Sequence, residues 1–127
     1  CTSVKNCVFL VVMPDFTCPT GAAYKKYDES PIPPRNALAE FVSSLSDNSF
    51  ADKMHNTFEL IYNDDRIEKI KATLLSAGAL GAMLTGSGAP VFGIFEDRQT
   101  AQKAAAALPL YFTSVCMPTE YGVNYIK

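Results

Sequence analysis

The segment Thr85-Gly-Ser-Gly-Ala-Pro90 lies between two short apolar runs, and no other stretch restricts the fold of this chain as strongly. Residues 80–84 (LGAML) and 90–95 (PVFGIF) read as strands, and a glycine-rich joint between them leaves room only for a tight reversal. The pair is therefore expected to be a β-hairpin. Gly86 and Gly88 permit positive φ and close approach by another group. Ser87 adds a hydroxyl, and exposed N–H groups in such a turn can face an anion. Taken alone, the turn is better read as a plain hairpin turn. It is not a Walker loop, because no lysine follows the second glycine and a strand stands where a helix is needed.

The remaining segments supply partners for this hairpin. Residues 6–13 (NCVFLVVM) are rich in β-branched and aromatic side chains, stop at Pro14, and read as a strand covered on both faces. Pro19-Thr20 opens a short helix through Asp28, with Thr20 as candidate N-cap. Three prolines make residues 30–34 (SPIPP) a surface loop. Residues 35–46 return to helical spacing, with Leu38, Phe41, Val42 and Leu45 on one face. Residues 50–60 hold one or two short helices. Residues 64–76 are the clearest helix, with Ile67, Ile70, Leu74 and Leu75 as its apolar stripe, Asp64 and Asp65 at its positive end, and Gly78 as its stop. Asp97 caps a helix reaching Ala107 before Pro109, residues 110–117 (LYFTSVCM) form the last strand, and residues 118–127 are a tail.

The order is strand, helices, strand, strand, helix, strand. That is the α+β class, with the split βαβ order of ferredoxin-like folds and extra helices in the first crossover. The expected sheet is antiparallel with helices on one face, and residues 1–127 form one domain. A start at Cys1, almost directly on a strand, favours a fragment of a longer protein.

Composition excludes several classes of function. A net charge of -2 offers no basic field for a nucleic-acid backbone. No apolar run is long enough to span a bilayer, and no leader pattern opens the chain, so a membrane partner is not expected. Cys1, Cys7, Cys18 and Cys116 form no C-x-x-C pair, and His55 is the single histidine, so metal-ligand spacing is absent. Cys7 and Cys116 sit in apolar runs and read as small buried hydrophobes. Reduced thiols and a cytoplasmic location are the default.

Few residues stand out as carriers of chemistry. Tyr24 could stack on a base, although packing on the sheet is the simpler reading. His55 reads as a loop histidine, with Asn56 beside it as a cap. Asp64 and Asp65 read as capping carboxylates in preference to metal ligands. Lys25 and Lys26 read as a solvated face. No nucleophile, base and orienting group follow a recognisable pattern, so no catalytic residue is assigned. Residue chemistry alone leaves the function open.

Resemblance narrows it. Residues 78–95 (GALGAMLTGSGAPVFGIF) resemble the third motif of GHMP kinases, a Gly-Ser-Gly turn between two strands of the C-terminal domain, and residues 96–108 (EDRQTAQKAAAAL) look like the helix that follows it. Residues 11–28 (VVMPDFTCPTGAAYKKYD) are similar to the segment opening the C-terminal half of the 4-diphosphocytidyl-2-C-methyl-D-erythritol kinases. Asn56-Thr-Phe-Glu59 looks like their Asn-Asp-Leu-Glu segment, with Thr57 in place of the usual Asp. Cys18-Pro19 ahead of Thr20 is a further departure.

This resemblance implies a parent enzyme that transfers a phosphoryl group from ATP, with Mg, to the 2-hydroxyl of the cytidylyl substrate in isoprenoid precursor biosynthesis. Positioning and charge stabilisation dominate such a reaction. It also implies that the ATP loop and the catalytic lysine and aspartate belong to an N-terminal kinase domain, so this chain alone is expected to show no turnover and to bind no cofactor. Tyr24 would stack on cytosine, Thr20 would lie near the substrate, and Gly86, Ser87 and Gly88 would face the cleft. A bare inter-domain face would favour self-association. The competing readings are another GHMP kinase, of homoserine or mevalonate type, and a non-catalytic ferredoxin-like module that binds a ligand.

Overall fold

A computed structural model describes residues 4–33, 37–44 and 49–122. Cys1, Arg35, Leu45 and the end of the tail lie outside the described residues. Four strands, β1 (Val8–Met13), β2 (Gly81–Leu84), β3 (Val91–Phe95) and β4 (Phe112–Cys116), form one sheet in the order β2-β3-β1-β4. Every neighbouring pair is antiparallel, with Leu10 of β1 opposite Gly93 of β3 and Val115 of β4. This is the expected split βαβ arrangement. Helices α1 (Thr20–Glu29), α2 (Ala37–Ser44), α3 (Thr57–Tyr62) and α4 (Asp65–Ser76) occupy the first crossover, and α5 (Arg98–Ala106) the second.

One face of the sheet is closed. Leu10, Val12, Leu84, Val91 and Phe95 are fully buried against Ile67, Ile70 and Leu74 of α4 and Ala101 and Ala104 of α5. Each buried Leu, Ile or Phe contributes roughly 1.5–3 kcal/mol of hydrophobic transfer. Gly93 lets these layers meet, since a Cβ there would stand 3.0 Å from the Phe95 ring and 3.4 Å from Leu74. The stripe of α4 is narrower than expected: Leu75 is about half exposed, one position beyond the face that meets the sheet.

Both of these helices have defined ends. Asp64 is the N-cap of α4, accepting the Arg66 N–H at 2.8 Å, and Asp97 caps α5 by accepting the Thr100 N–H at 2.8 Å. At the end of α4, Gly78 takes φ +100°. Its N–H donates to Leu75 O and that of Ala79 to Leu74 O, which is the Schellman pattern.

The other face departs from expectation. Burial alternates along β1, with Val8, Leu10 and Val12 inside and Phe9 and Val11 only half-buried, so β1 is not covered equally on both faces. Helices are not confined to one face either. Phe9, Phe92 and Ile94 meet Phe41 of α2 together with Phe50 and Met54 around a short 3₁₀ turn, Phe50–Lys53. Leu38 and Val42 of α2 are 76% and 56% exposed, while Ser44 is buried and donates to Phe41 O. The expected stripe of α2 fails because only its Phe41 side reaches the sheet.

Among the described residues β4 lies at the sheet edge and pairs with β1 alone, and its Phe112 and Cys116 are exposed. Cys116 is therefore not the buried hydrophobe expected. Cys7 is buried as expected and is disulfide-bonded, which corrects the expectation of uniformly reduced thiols. Cys18 and Cys116 are free thiols.

Candidate functional site

The β2–β3 hairpin carries the Gly-rich loop, and its conformation is set locally. Thr85 donates its N–H to Pro90 O at 2.8 Å and its hydroxyl to the same oxygen at 3.0 Å, while Gly88 N–H donates to Thr85 O. Gly86 and Gly88 take φ +48° and +91°, a region that L side chains enter only with strain. Gly88 also answers a close approach, because a Cβ there would lie 2.7 Å from the Cys18 sulfur.

Four side chains from elsewhere then hold the loop, and a fifth backs one of them. Asn56 caps α3 by accepting the Phe58 N–H, and its amide nitrogen donates to Leu84 O and Gly86 O, both at 2.8 Å. One helical turn later, Glu59 accepts the Leu84 N–H at 2.6 Å. The second oxygen of Glu59 pairs with Lys71 of α4 at 2.8 Å. Tyr62 donates its hydroxyl to Ser87 O at 2.7 Å. Thr20, at the first position of α1, places Oγ1 3.0 Å from Ser87 Oγ. Pro19, not Thr20, occupies the N-cap, so the hydroxyl of Thr20 is spent on the loop and not on its own helix.

The electrostatics favour a fixed platform. Burial pulls the Lys71 ammonium down, but hydrogen bonds and charge from Glu59 and Glu68 outweigh it, and its pKa ends above the ordinary lysine value. Burial, with the Asp64 charge as a second cause, pushes the Cys18 thiol up, so it stays protonated. Burial likewise raises Tyr62, with Cys18 adding to it. Cys18 and Tyr62 are thus neutral groups beneath the loop. The Arg66 guanidinium holds Asp64 below the usual carboxylate range and lies 3.8 Å over the Phe16 ring.

Beside this loop, α1 and α3 enclose a cavity of about 210 Å³ lined by Tyr24, Tyr27, Thr57, Phe58 and Ile61. Tyr24 does not pack on the sheet. Its ring makes an edge contact with Phe58, centroids 5.1 Å apart, and 55% of the residue remains exposed. Lys26 is not simply solvated, since it donates to Ile61 O at 2.8 Å and ties α1 to α3, whereas Lys25 stays at the surface near Glu29. His55 is half-buried, with Nε2 3.5 Å from the Thr57 hydroxyl.

Thr20, Gly86, Ser87 and Gly88 are thus brought together, with Tyr24 one helical turn along α1. Sequence reasoning missed Tyr62, Lys71 and Cys18. No local signal marks them, because each acts on a loop at least 13 residues away along the chain. Among the described residues, no group of three His, Cys, Asp or Glu side chains gathers where a cation could sit. Glu59 and Lys71, the charged pair nearest the loop, satisfy each other.

A four-stranded antiparallel sheet in split βαβ order thus carries a Gly-Ser-Gly hairpin held by side chains of α1 and α3. Residues 35–113 match the sequence model of the GHMP kinases C terminal, and the chain belongs to the GHMP kinase family. It is 31% identical over 126 residues to 4-diphosphocytidyl-2-C-methyl-D-erythritol kinase from Alkaliphilus oremlandii, covering 95% of this chain and 43% of that protein. Among solved structures it resembles homoserine kinase from Cytophaga hutchinsonii, with TM-score 0.61, 20% identity, and coverage of 91% of this chain and 42% of that one. Mevalonate kinase from methicillin-resistant Staphylococcus aureus follows, with TM-score 0.57, 15% identity, and coverage of 88% and 42%. The chain spans about two fifths of the length of the relatives it matches.

Proposed function

We propose that this chain is the substrate-side, C-terminal domain of an ATP-dependent kinase that phosphorylates the 2-hydroxyl of 4-diphosphocytidyl-2-C-methyl-D-erythritol. The carrying observation is the juxtaposition of an open aromatic cleft at Tyr24 with the Thr20–Ser87 hydroxyl pair on a rigidly held loop. Likeness to relatives that bear this enzyme's name supports the choice of substrate. The two solved neighbours share the fold at identities too low to favour their own substrates.

In this reading, Tyr24 offers its ring to the cytosine and Thr20 approaches the substrate. Gly86, Ser87 and Gly88 line the cleft where the phosphoryl group is transferred. In the same reading, ATP and Mg bind with the remaining part of the parent enzyme, and ATP supplies the phosphoryl group. What these residues contribute is placement: Asn56, Glu59 and Tyr62 keep the loop from shifting as substrate binds, and misplacement is costly in such reactions. An ATP-dependent reaction fits a cytoplasmic enzyme, and the partner of this domain is the N-terminal kinase domain.

The test is made in the full-length parent. Tyr24→Ala is expected to weaken binding of the cytidylyl substrate by about 1–3 kcal/mol, the scale of one base–aromatic stack. Tyr24→Phe should be nearly silent and ATP affinity unchanged. Calorimetric titration of both ligands, with a thermal melt of each variant, checks this. Unchanged substrate affinity in a stably folded Tyr24→Ala enzyme refutes the stacking role.

A further inference from the structure

We propose that a second cavity, on the half-covered face of the sheet, binds a medium-chain amphipathic anion. This inference is independent of the substrate assigned above. The cavity measures about 370 Å³, within the range of roughly 300–1,000 Å³ typical of small-ligand sites. Its walls are aromatic: Phe9 and Phe92, with ring centroids 5.9 Å apart, form the sheet side, and Phe41 and Phe50 the other. An apolar tail inside it would remove this surface from water, the dominant favourable contribution to such binding.

The polar groups decide the head. Lys53 and His55 border the cavity, and no carboxylate does among the described residues. A carboxylate or phosphate head can accept from the Lys53 ammonium and an imidazole N–H, whereas a neutral head forgoes the charge. Lys53 is exposed and also borders a neighbouring polar recess that contains Glu40, so its attraction for the head is modest. Leu38, three-quarters exposed, forms the lip and would be covered by the bound tail.

The site is separate from the Tyr24 cleft but lies behind the same hairpin. Met83 forms part of its wall and precedes Leu84, whose backbone is held by Asn56 and Glu59, and His55 precedes Asn56. A ligand here would touch both sides of the clamp that fixes the Gly-rich loop. Slower amide exchange in residues 84–88 should therefore accompany binding.

Calorimetric titration of the full-length parent with octanoate, octyl phosphate and 1-octanol, all below aggregation, tests the proposal. Both anions should saturate a single site, with 1-octanol several-fold weaker. Lys53→Gln, an exposed substitution that leaves the core intact, should weaken both anions about threefold to fivefold, the scale of an exposed ion pair, and leave 1-octanol unchanged. Met83→Trp, filling the wall, should abolish binding of all three while a cooperative melt shows that the fold persists. Three results would each overturn the proposal: no saturable binding, equal affinity for octanoate and 1-octanol, or full anion affinity in a Lys53→Gln/His55→Gln variant. If Met83→Trp does not fold, the Lys53→Gln comparison decides alone.

Discussion

On one face of the sheet, Leu10, Val12 and Phe95 have no accessible surface; on the other, Phe9, Phe92 and Ile94 look onto a 370 Å³ cavity. The strands supply both faces with similar apolar side chains, so the strands are not the cause. The difference lies in what covers them. The closed face meets α4 and α5, of 12 and 9 residues, both with capped ends. Among the described residues, the second face meets α2, which packs Phe41 against the sheet with Leu38 at the cavity's lip, and a 3₁₀ turn. Sheet pattern alone therefore does not guarantee a packed layer; a helix must present enough residues at the right spacing to fill the space. The closed face takes in Leu84 and Val91, the pair that flanks the Gly-rich loop, and the second face leaves a cavity.

The sharpest way to break this contrast is to truncate one aromatic on each face. Phe95→Ala is expected to destabilise the fold by about 3–5 kcal/mol, since the space it leaves cannot collapse between sheet and α4. Phe41→Ala, at the edge of an existing cavity, should cost less than half as much. Urea denaturation of the two variants measures both, and equal losses would show that the second face is as well packed as the first.

A contrast within the loop comes next. Gly88→Ala places a Cβ 2.7 Å from the Cys18 sulfur at φ +91°, combining backbone strain with overlap, and should cost about 2–4 kcal/mol. Gly86→Ala, also at positive φ but facing open space, should cost about 1 kcal/mol. Adding Cys18→Ala to Gly88→Ala should restore part of the loss, and no recovery would mean that backbone strain alone matters there.

The Glu59–Lys71 pair is the next test. Both side chains are mostly buried, so Glu59→Gln leaves the Lys71 ammonium with the exposed Glu68 carboxylate alone, 3.2 Å away, and is expected to destabilise by about 2 kcal/mol. Lys71→Met in the same background should recover some of this, and a double-mutant cycle reads the coupling. The sign of the pH effect follows from the raised Lys71 value. Its stabilisation is complete below the ordinary lysine pKa and is lost as pH rises through the folded value, so an alkaline melt should fall faster for wild type than for Lys71→Met.

The smallest effect concerns the helix caps. The Thr100 N–H, followed by its hydroxyl, holds the Asp97 carboxyl below its ordinary value of 3.8. Its stabilisation is therefore present above that value and lost as pH falls through the lower, folded one. The melting-temperature gap between wild type and Asp97→Ala should hold at neutral pH and narrow in strong acid. A gap that is constant across the acid range would assign the cap no charge component.

Much of this was readable beforehand, for local reasons. The Asp64 and Asp97 caps, the Gly78 stop, the hairpin and the strand order follow from side-chain chemistry within a few residues of each feature. Asn56 was readable as a cap, and the segment from Asn56 to Glu59 as a family mark. Its work was not: one amide and one carboxylate, a helical turn apart, grip the hairpin backbone 25 to 30 residues away.

What the sequence determined by itself is the set of elements and their order, because periodicity, caps and glycines act over one or two turns of chain. Tertiary structure decided which apolar stripe is buried and which is bare, as Leu38, Val42, Leu75 and Cys116 show. It also decided that Thr20 meets Ser87 across 67 positions, that Tyr62 and Lys71 serve the loop, and that Tyr24 stands open. Burial and long-range hydrogen bonds depend on how elements of fixed length fit together in space, and that fit is a property of the assembled layers.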